Sequence, residues 1–280
     1  MTDPYDCEVA ENEGVVDLYG ASYGGFANDR YAEIRREAWG EEIGQNSWLT
    51  RHELERFISQ LQLADSSRVL EVGCGSGGPA LHVARVTGCE IVGVDLHEDG
   101  VANASRLARE AGLDSRASFV RADASEALPF DDESFGALLC IDTVNHLRNR
   151  PRVLADWARL LVPGGRMLLT DPITVTGPLG SDEIAIRASI GYFLFVPPGE
   201  DERLLSEAGL NVLAVEDATE NMAAVAERWL AARAKRADAL TEIEGENTFD
   251  GQQRFLEVAA RVARERRLSR FVYLAEKRAG

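Results

Sequence analysis

The chain has 280 residues, 45% of them hydrophobic and 28% charged, with a formal net charge of −17 at pH 7. That length fits one large domain or a domain with a cap, and the composition is that of an ordinary soluble globular protein. So large an acidic excess argues against a nucleic-acid partner, which clustered Lys and Arg would have to hold, and no run approaches the roughly 18 apolar residues of a membrane span.

The first residues, "MTDPYDCEVAENEG", are acidic and lack the basic and apolar regions of a signal peptide, so a cytoplasmic location is expected. Two helical patterns follow in residues 28–63, split by "WGEEIGQNSWLT"; residues 1–63 read as an N-terminal helical lid region. Four short apolar runs then alternate with helical ones: "RVLEV" (68–72), "EIVGVD" (90–95), "ASFVRAD" (117–123) and "GALLCID" (136–142). A helix "PRVLADWARLL", a Pro-Gly-Gly turn at 163–165 and a strand "RMLLTD" (166–171) continue the rhythm, and residues 173–200 show no clean period. "NVLAVED" (211–217) and "RFVYLAEK" (270–277) read as two further strands. Between them, residues 219–268 are too long and too periodic for a loop and read as a helical cap inserted before the last strand. This order predicts an α/β fold, a mostly parallel sheet with helices on both faces, its core in residues 64–218 and 269–280.

The chemistry gathers at "VLEVGCGSGGPALHVA" (69–84), where a strand hands over to a helix through glycines. Gly73, Gly75 and Gly78 satisfy the GxGxxG spacing of a dinucleotide site, while Gly73, Gly75 and Gly77 satisfy the GxGxG of S-adenosylmethionine sites. Asp95 ends the second strand 22 residues after Gly73, where a carboxylate accepts ribose hydroxyls in either class. Glu71 separates the two. A carboxylate in that crevice repels a pyrophosphate and attracts the ammonium and sulfonium of S-adenosylmethionine.

With these residues in view, "VLEVGCGSGG", "IVGVD", "RADASEALPFDDESFGALLCIDTVNHL" and "LLVPGGRMLLTDP" resemble the successive motifs of class I S-adenosylmethionine-dependent methyltransferases. Within that group they are most similar to the small-molecule branch typified by ubiquinone and menaquinone biosynthesis and sarcosine/dimethylglycine methyltransferases. The resemblance covers roughly residues 60–175. It implies a Rossmann-like sheet of seven strands, the last antiparallel, with S-adenosyl-L-methionine as cofactor and S-adenosyl-L-homocysteine as product. It also implies roles: Gly73 and Gly75 beside the methionine part, Asp95 on the ribose, Leu96 on the adenine, Asp123 and Ala124 at the adenine amino group, and Ile141 as a backbone contact. Gln45 and Trp48, with Trp39, fall in the region that the family folds over the cofactor.

The expected reaction is in-line methyl transfer to a small-molecule N, O or C acceptor. His146, past the fourth strand, is the candidate base, and Asp142 would orient it or help hold the cofactor. Asp171, Glu183, Arg187 and Tyr192 are candidate acceptor contacts, with Phe193 and Phe195 as apolar walls; acids near the pocket would suit an amine. Glu183 and Arg187, four apart, would share a helix face and could pair with each other. His52, His82 and His97 read as structural or surface residues. The four cysteines, Cys7, Cys74, Cys89 and Cys140, show no CxxC pair, and no metal site is expected. Two other functions stay open at this level: a non-catalytic S-adenosylmethionine-binding protein and an NAD(P)-dependent oxidoreductase.

Overall fold

The structure, a computed structural model, describes residues 18–279. The expectations for Cys7 and the acidic stretch 1–17 lie outside the described residues. Three helices come first: α1 (Leu18–Gly24), α2 (Asp29–Trp39) and α3 (Arg51–Leu61). An alternation follows of β1 (Arg68–Val72), α4 (Gly78–Thr87), β2 (Glu90–Asp95), α5 (Glu98–Glu110), β3 (Ala117–Arg121), β4 (Phe135–Cys140), α6 (Arg150–Leu160) and β5 (Leu161–Val175). The chain closes with α7 (Ser181–Arg187), α8 (Glu200–Glu207), β6 (Leu210–Asp217), α9 (Thr219–Ala234), α10 (Ala237–Glu244), α11 (Glu246–Arg264) and β7 (Leu268–Lys277).

The seven strands form one sheet in the order β3-β2-β1-β4-β5-β7-β6. The first five pair in parallel, and β7 inserts antiparallel between β5 and β6. Period-two alternation explains how this sheet is buried on both sides. Leu70 and Val72 of β1 face a cluster with Leu154 and Trp157 of α6 and Leu204 of α8. Val69 faces the opposite cluster, with Phe57 of α3, Leu81 of α4 and Ala108 of α5. A third cluster sits apart, joining Ile34 and Trp39 of α2 to Met222 and Trp229 of α9 and Phe255 of α11. Strand order reverses between β1 and β4, which opens the crevice at their carboxyl ends.

Three local expectations are corrected. The strand read as 166–171 begins at Leu161, opposite Phe135, and runs to Val175 through Pro172. Residues 162–165 bulge out of the pairing, with Gly164 at φ 75°, so the Pro-Gly-Gly turn interrupts β5 without preceding it. The stretch without a clear period contains α7 and the start of α8, short helices whose few turns give periodicity little to register. β3 and β4 end two residues sooner than read, which frees Asp142 to take φ 51°. No helix among the described residues is long and apolar enough to cross a membrane.

Candidate active site

The glycine loop turns sharply off β1 because its backbone is tied to β2: the N–H groups of Gly73 and Cys74 both donate to the Val94 carbonyl, at 2.8 and 3.1 Å. Gly73, Gly75 and Gly77 all lie at positive φ, so the alternate spacing is the one that the turn demands. A Cβ on Gly73 would fall on the side chain of Thr143. Gly78 serves differently. It opens α4, and the backbone of Ile43 and Gly44 occupies the place a Cβ would take.

A cavity of about 580 Å³ opens beside this loop, inside the usual range for small-ligand sites. Asp95, Leu96, Asp123 and Ala124 line it. The Asp95 carboxylate accepts the Gly75 N–H through Oδ2 and the His97 N–H through Oδ1, each at 2.8 Å, which fixes it at the rim. Burial pushes its pKa up. Leu96 is 59% exposed, an apolar side chain laid open on the cavity wall. Asp123 accepts the Ser125 N–H through Oδ1 at 2.9 Å. His97, expected to be structural or superficial, also lines this cavity, edge-on to the Tyr23 ring at 5.0 Å between centroids.

A narrow extension of about 50 Å³ runs between Glu71, the glycine loop and Ile141. Glu71 is buried, and its Oε2 meets no hydrogen-bond partner among the described residues. Burial foremost, with the charge of Asp95 behind it, pushes its pKa up to about 8. Tyr19 and Tyr23 of α1 line both spaces. They were missed in the sequence, although two tyrosines four apart on one helix face were a readable signal. Asn46 and Ser47 also line the extension; Gln45, expected there, does not. The Gln45 side chain folds back on its own loop, accepting from Ile43 N–H and donating to the Glu41 carbonyl.

His146 ends a 3-10 turn (Val144–His146) after β4. Its Nδ1 lies 3.0 Å from the Tyr192 carbonyl, which can only accept, so Nδ1 carries the proton. Nε2 then accepts from the Tyr19 hydroxyl at 2.8 Å. Burial pulls the imidazole pKa down to about 4, and the Tyr192 bond offsets only part of that. On the far side of His146 a small cavity of about 40 Å³ is bounded by Trp48, Asn145, Arg187, Phe193, Trp229 and Phe255, among others. The inserted helices α9 and α11 thus supply part of its wall.

Several candidate residues are placed otherwise than expected. Asp142 lines both this space and the narrow extension beside the glycine loop, as a part in holding the cofactor would need, but it does not hydrogen-bond His146. Its Oδ1 accepts from Arg270 Nε and the Thr170 hydroxyl, both at 2.7 Å, and its Oδ2 from the Trp48 N–H at 2.9 Å. The Trp48 ring packs with Trp229 and Phe255, on the small cavity and away from the glycine loop. Trp39 packs on Trp229 and donates to the Ser47 carbonyl, an anchor between α2 and α9. Asp171 is fully buried, 2.7 Å from Arg150, which binds Asp201 at the same distance. Glu183 is held by Arg267 and Arg261 and caps the Gly180 N–H, which pulls its pKa down to about 2. It does not pair with Arg187. Tyr192 lines the large cavity, Phe193 the small one, and Phe195 packs with Ile173 and Val258. His82 is buried near Glu55, and His52 is exposed.

The orphaned oxygen of Glu71 is what a bound ammonium would satisfy, since a cation beside the buried carboxyl favours its charged form. The donor set therefore fits S-adenosylmethionine. Comparisons with known proteins agree. Residues 70–169 match the family model described as "Methyltransferase domain". The chain is 31% identical over 208 residues to the 27-O-demethylrifamycin SV methyltransferase of Amycolatopsis mediterranei (strain S699), covering 70% of this chain and 76% of that protein. Its fold is similar to that of a proposed sarcosine dimethylglycine methyltransferase from Galdieria sulphuraria, with TM-score 0.75, 20% identity, and coverage of 90% and 98% of the two chains. It is also similar to phosphoethanolamine N-methyltransferase 2 of Haemonchus contortus, solved with phosphomonomethylethanolamine and S-adenosylhomocysteine, at TM-score 0.77 and 18% identity, covering 94% of this chain and 60% of that one. The chain belongs to the class I S-adenosylmethionine-dependent methyltransferases that act on small molecules.

Proposed function

We propose that the large cavity takes the adenosine of the cofactor, the narrow extension its methionine part, and the small cavity the reacting end of the acceptor. The observation that carries this reading is Glu71, a buried carboxyl with an unpartnered oxygen between the glycine loop and Ile141. Glu71 would hold the ammonium, with Gly73 and Gly75 presenting backbone to the chain beside it. Asp95 would accept the ribose hydroxyls on the lone pairs that Gly75 and His97 leave free. Leu96 would cover the adenine, Asp123 and Ala124 would meet its amino edge, and Ile141 would add a backbone contact. When bound, S-adenosylmethionine supplies a methyl group on a sulfonium, taken in line by an acceptor lone pair with loss of the neutral thioether S-adenosylhomocysteine.

The residues of this chain contribute position, dryness and proton transfer. Tyr19 and Tyr23 cover the site from α1, so the described part of the N-terminal region, residues 18–63, acts as a lid. Helices α9–α11, within residues 219–268, act as a cap that walls the acceptor. His146 stands between the two spaces as a neutral base, with Tyr19 on its accepting nitrogen. A hydroxyl or carbon-acid acceptor would hand its proton to Nε2 as Tyr19 yields that position. Asp142 is a positioning residue that ties Trp48 to β7 through Arg270. Three free, buried cysteines, Cys74, Cys89 and Cys140, support a reducing cytoplasmic setting.

Asp95→Ala tests the cofactor assignment. Loss of two charge-assisted hydrogen bonds, partly replaced by water, should weaken S-adenosylhomocysteine binding by roughly 2–4 kcal/mol in calorimetry. Unchanged affinity in the folded variant would remove Asp95 from the site.

A further inference from the structure

Three acids expected near the acceptor would have suited a cationic amine. Each is committed to an arginine: Asp142 to Arg270, Asp171 to Arg150, and Glu183 to Arg267 and Arg261. The small cavity keeps one guanidinium that no carboxylate among the described residues pairs with. Arg187 is 1% exposed, and neither its Nε nor its Nη1 finds a hydrogen-bond partner among the described residues.

Its surroundings are aromatic. The guanidinium carbon lies 4.3 Å from the Phe255 ring centroid, 5.6 Å from Phe193 and 5.8 Å from Trp48. Those π faces attract a cation but do not accept the in-plane N–H bonds. Asn145 lines the same cavity, wholly buried, with Nδ2 and Oδ1 both unpartnered among the described residues. An unpaired buried cation and an unpaired buried amide are each costly to keep. Two of them in one cavity, beside His146, mark the place where a ligand completes the bonding.

Resting on the methyltransferase reading of this site, we propose that the acceptor carries an anionic oxygen group, a carboxylate or a phenolate, which Arg187 binds within its aromatic cage while Asn145 bonds the adjoining polar atoms. A cationic amine is excluded by the same charge. Aromatic walls on three sides suit an acceptor whose anion is attached to a planar apolar body.

The test uses the full chain saturated with S-adenosylhomocysteine, with benzoate, 4-nitrophenolate, benzamide and benzylamine as probes, read by calorimetry at constant ionic strength. Saturation is itself the control on the underlying reading: failure to bind S-adenosylhomocysteine defeats that reading before the acceptor is reached. At least one of the two anions should bind, with benzamide and benzylamine weaker by about tenfold or more. Which anion binds separates carboxylate from phenolate. Arg187→Met should lose that preference and keep its affinity for S-adenosylhomocysteine, whereas Arg187→Lys should keep part of the preference. Should Arg187→Met fail to fold, the comparison of Arg187→Lys with wild type carries the test. Binding of benzylamine or benzamide as tight as that of the anions, no anion binding to wild type, or an anion preference that survives unchanged in Arg187→Met (or in Arg187→Lys, should only that variant fold) would overturn the proposal.

Discussion

His146 holds its proton on Nδ1 and accepts Tyr19 on Nε2, and burial keeps the ring neutral to about pH 4. Unfolded, the same ring titrates near 6.5. Between those values the unfolded chain binds more protons than the folded one, so stability is lost as the pH falls from about 6.5 toward 4. Thermal melts of wild type and His146→Phe across that window should converge as the pH falls, the wild type giving up the greater share of its melting temperature. Parallel curves would show that the ring is solvated and charges freely. His146→Ala should keep cofactor affinity and, for an acceptor that must lose a proton, lose on the order of 10²–10⁴ in turnover. Arg187 and His146 illustrate what a residue pattern does and does not reveal. Glycine spacing, Glu71 and Asp95 are legible because strand ends locate them, and strand ends follow from short-range periodicity. That Arg187 is left without a carboxylate is not legible, because the i,i+4 rule pointed to Glu183 while tertiary packing gave Glu183 to Arg267 on the last turn before β7.

Among the elements, the segment 41–50 meets the core beside Arg270, near the start of β7, through the Asp142 carboxylate that accepts the Trp48 N–H. Arg270 binds Asp142 through Nε at 2.7 Å and Glu53 of α3 through Nη1 at 2.8 Å. Asn221 of α9 bonds both Glu53 and the Trp48 carbonyl, so α3, α9, β7 and the end of β4 meet at one place. Arg270→Met would leave the buried Asp142 carboxylate without its cation and Glu53 with only Arg56, at 3.9 Å. It should cost about 3–5 kcal/mol in urea unfolding, with weaker S-adenosylhomocysteine binding as the segment loosens. A cost under about 1 kcal/mol, the scale of a surface pair, would place the pairing in solvent. The inserted helices were foreseeable from their length and period, and α7 was not, being seven residues long. What periodicity could not supply was their destination. Trp229 and Phe255 carry apolar patterns that any core would satisfy, and only the packing of α9 and α11 turns them toward His146.

Over the whole molecule, an acidic chain of net charge −17 encloses arginines. Arg150, Arg187, Arg233 and Arg270 are among its largest fully buried side chains. Three are met by carboxylates, at Asp171 and Asp201, at Glu244, and at Asp142 and Glu53. The sheet places the complementary exception at the switch point between β1 and β4, where the buried carboxyl of Glu71 stands without a cation. Among the described residues, the buried carboxyls and guanidiniums are therefore ion-paired except at two points, the Glu71 carboxyl on the proposed cofactor side and the Arg187 guanidinium on the proposed acceptor side. With its pKa near 8, Glu71 is mostly protonated at pH 7 in the free protein, and an ammonium bound beside it drives the proton off. Calorimetry of S-adenosylhomocysteine binding at pH 7, repeated in buffers of different ionisation enthalpy, counts the protons released. Wild type should release close to one more proton than Glu71→Gln, and the variant should bind at least about tenfold more weakly. Equal proton release with unchanged affinity in Glu71→Gln would place the ammonium away from Glu71 and remove that carboxyl from the cofactor site.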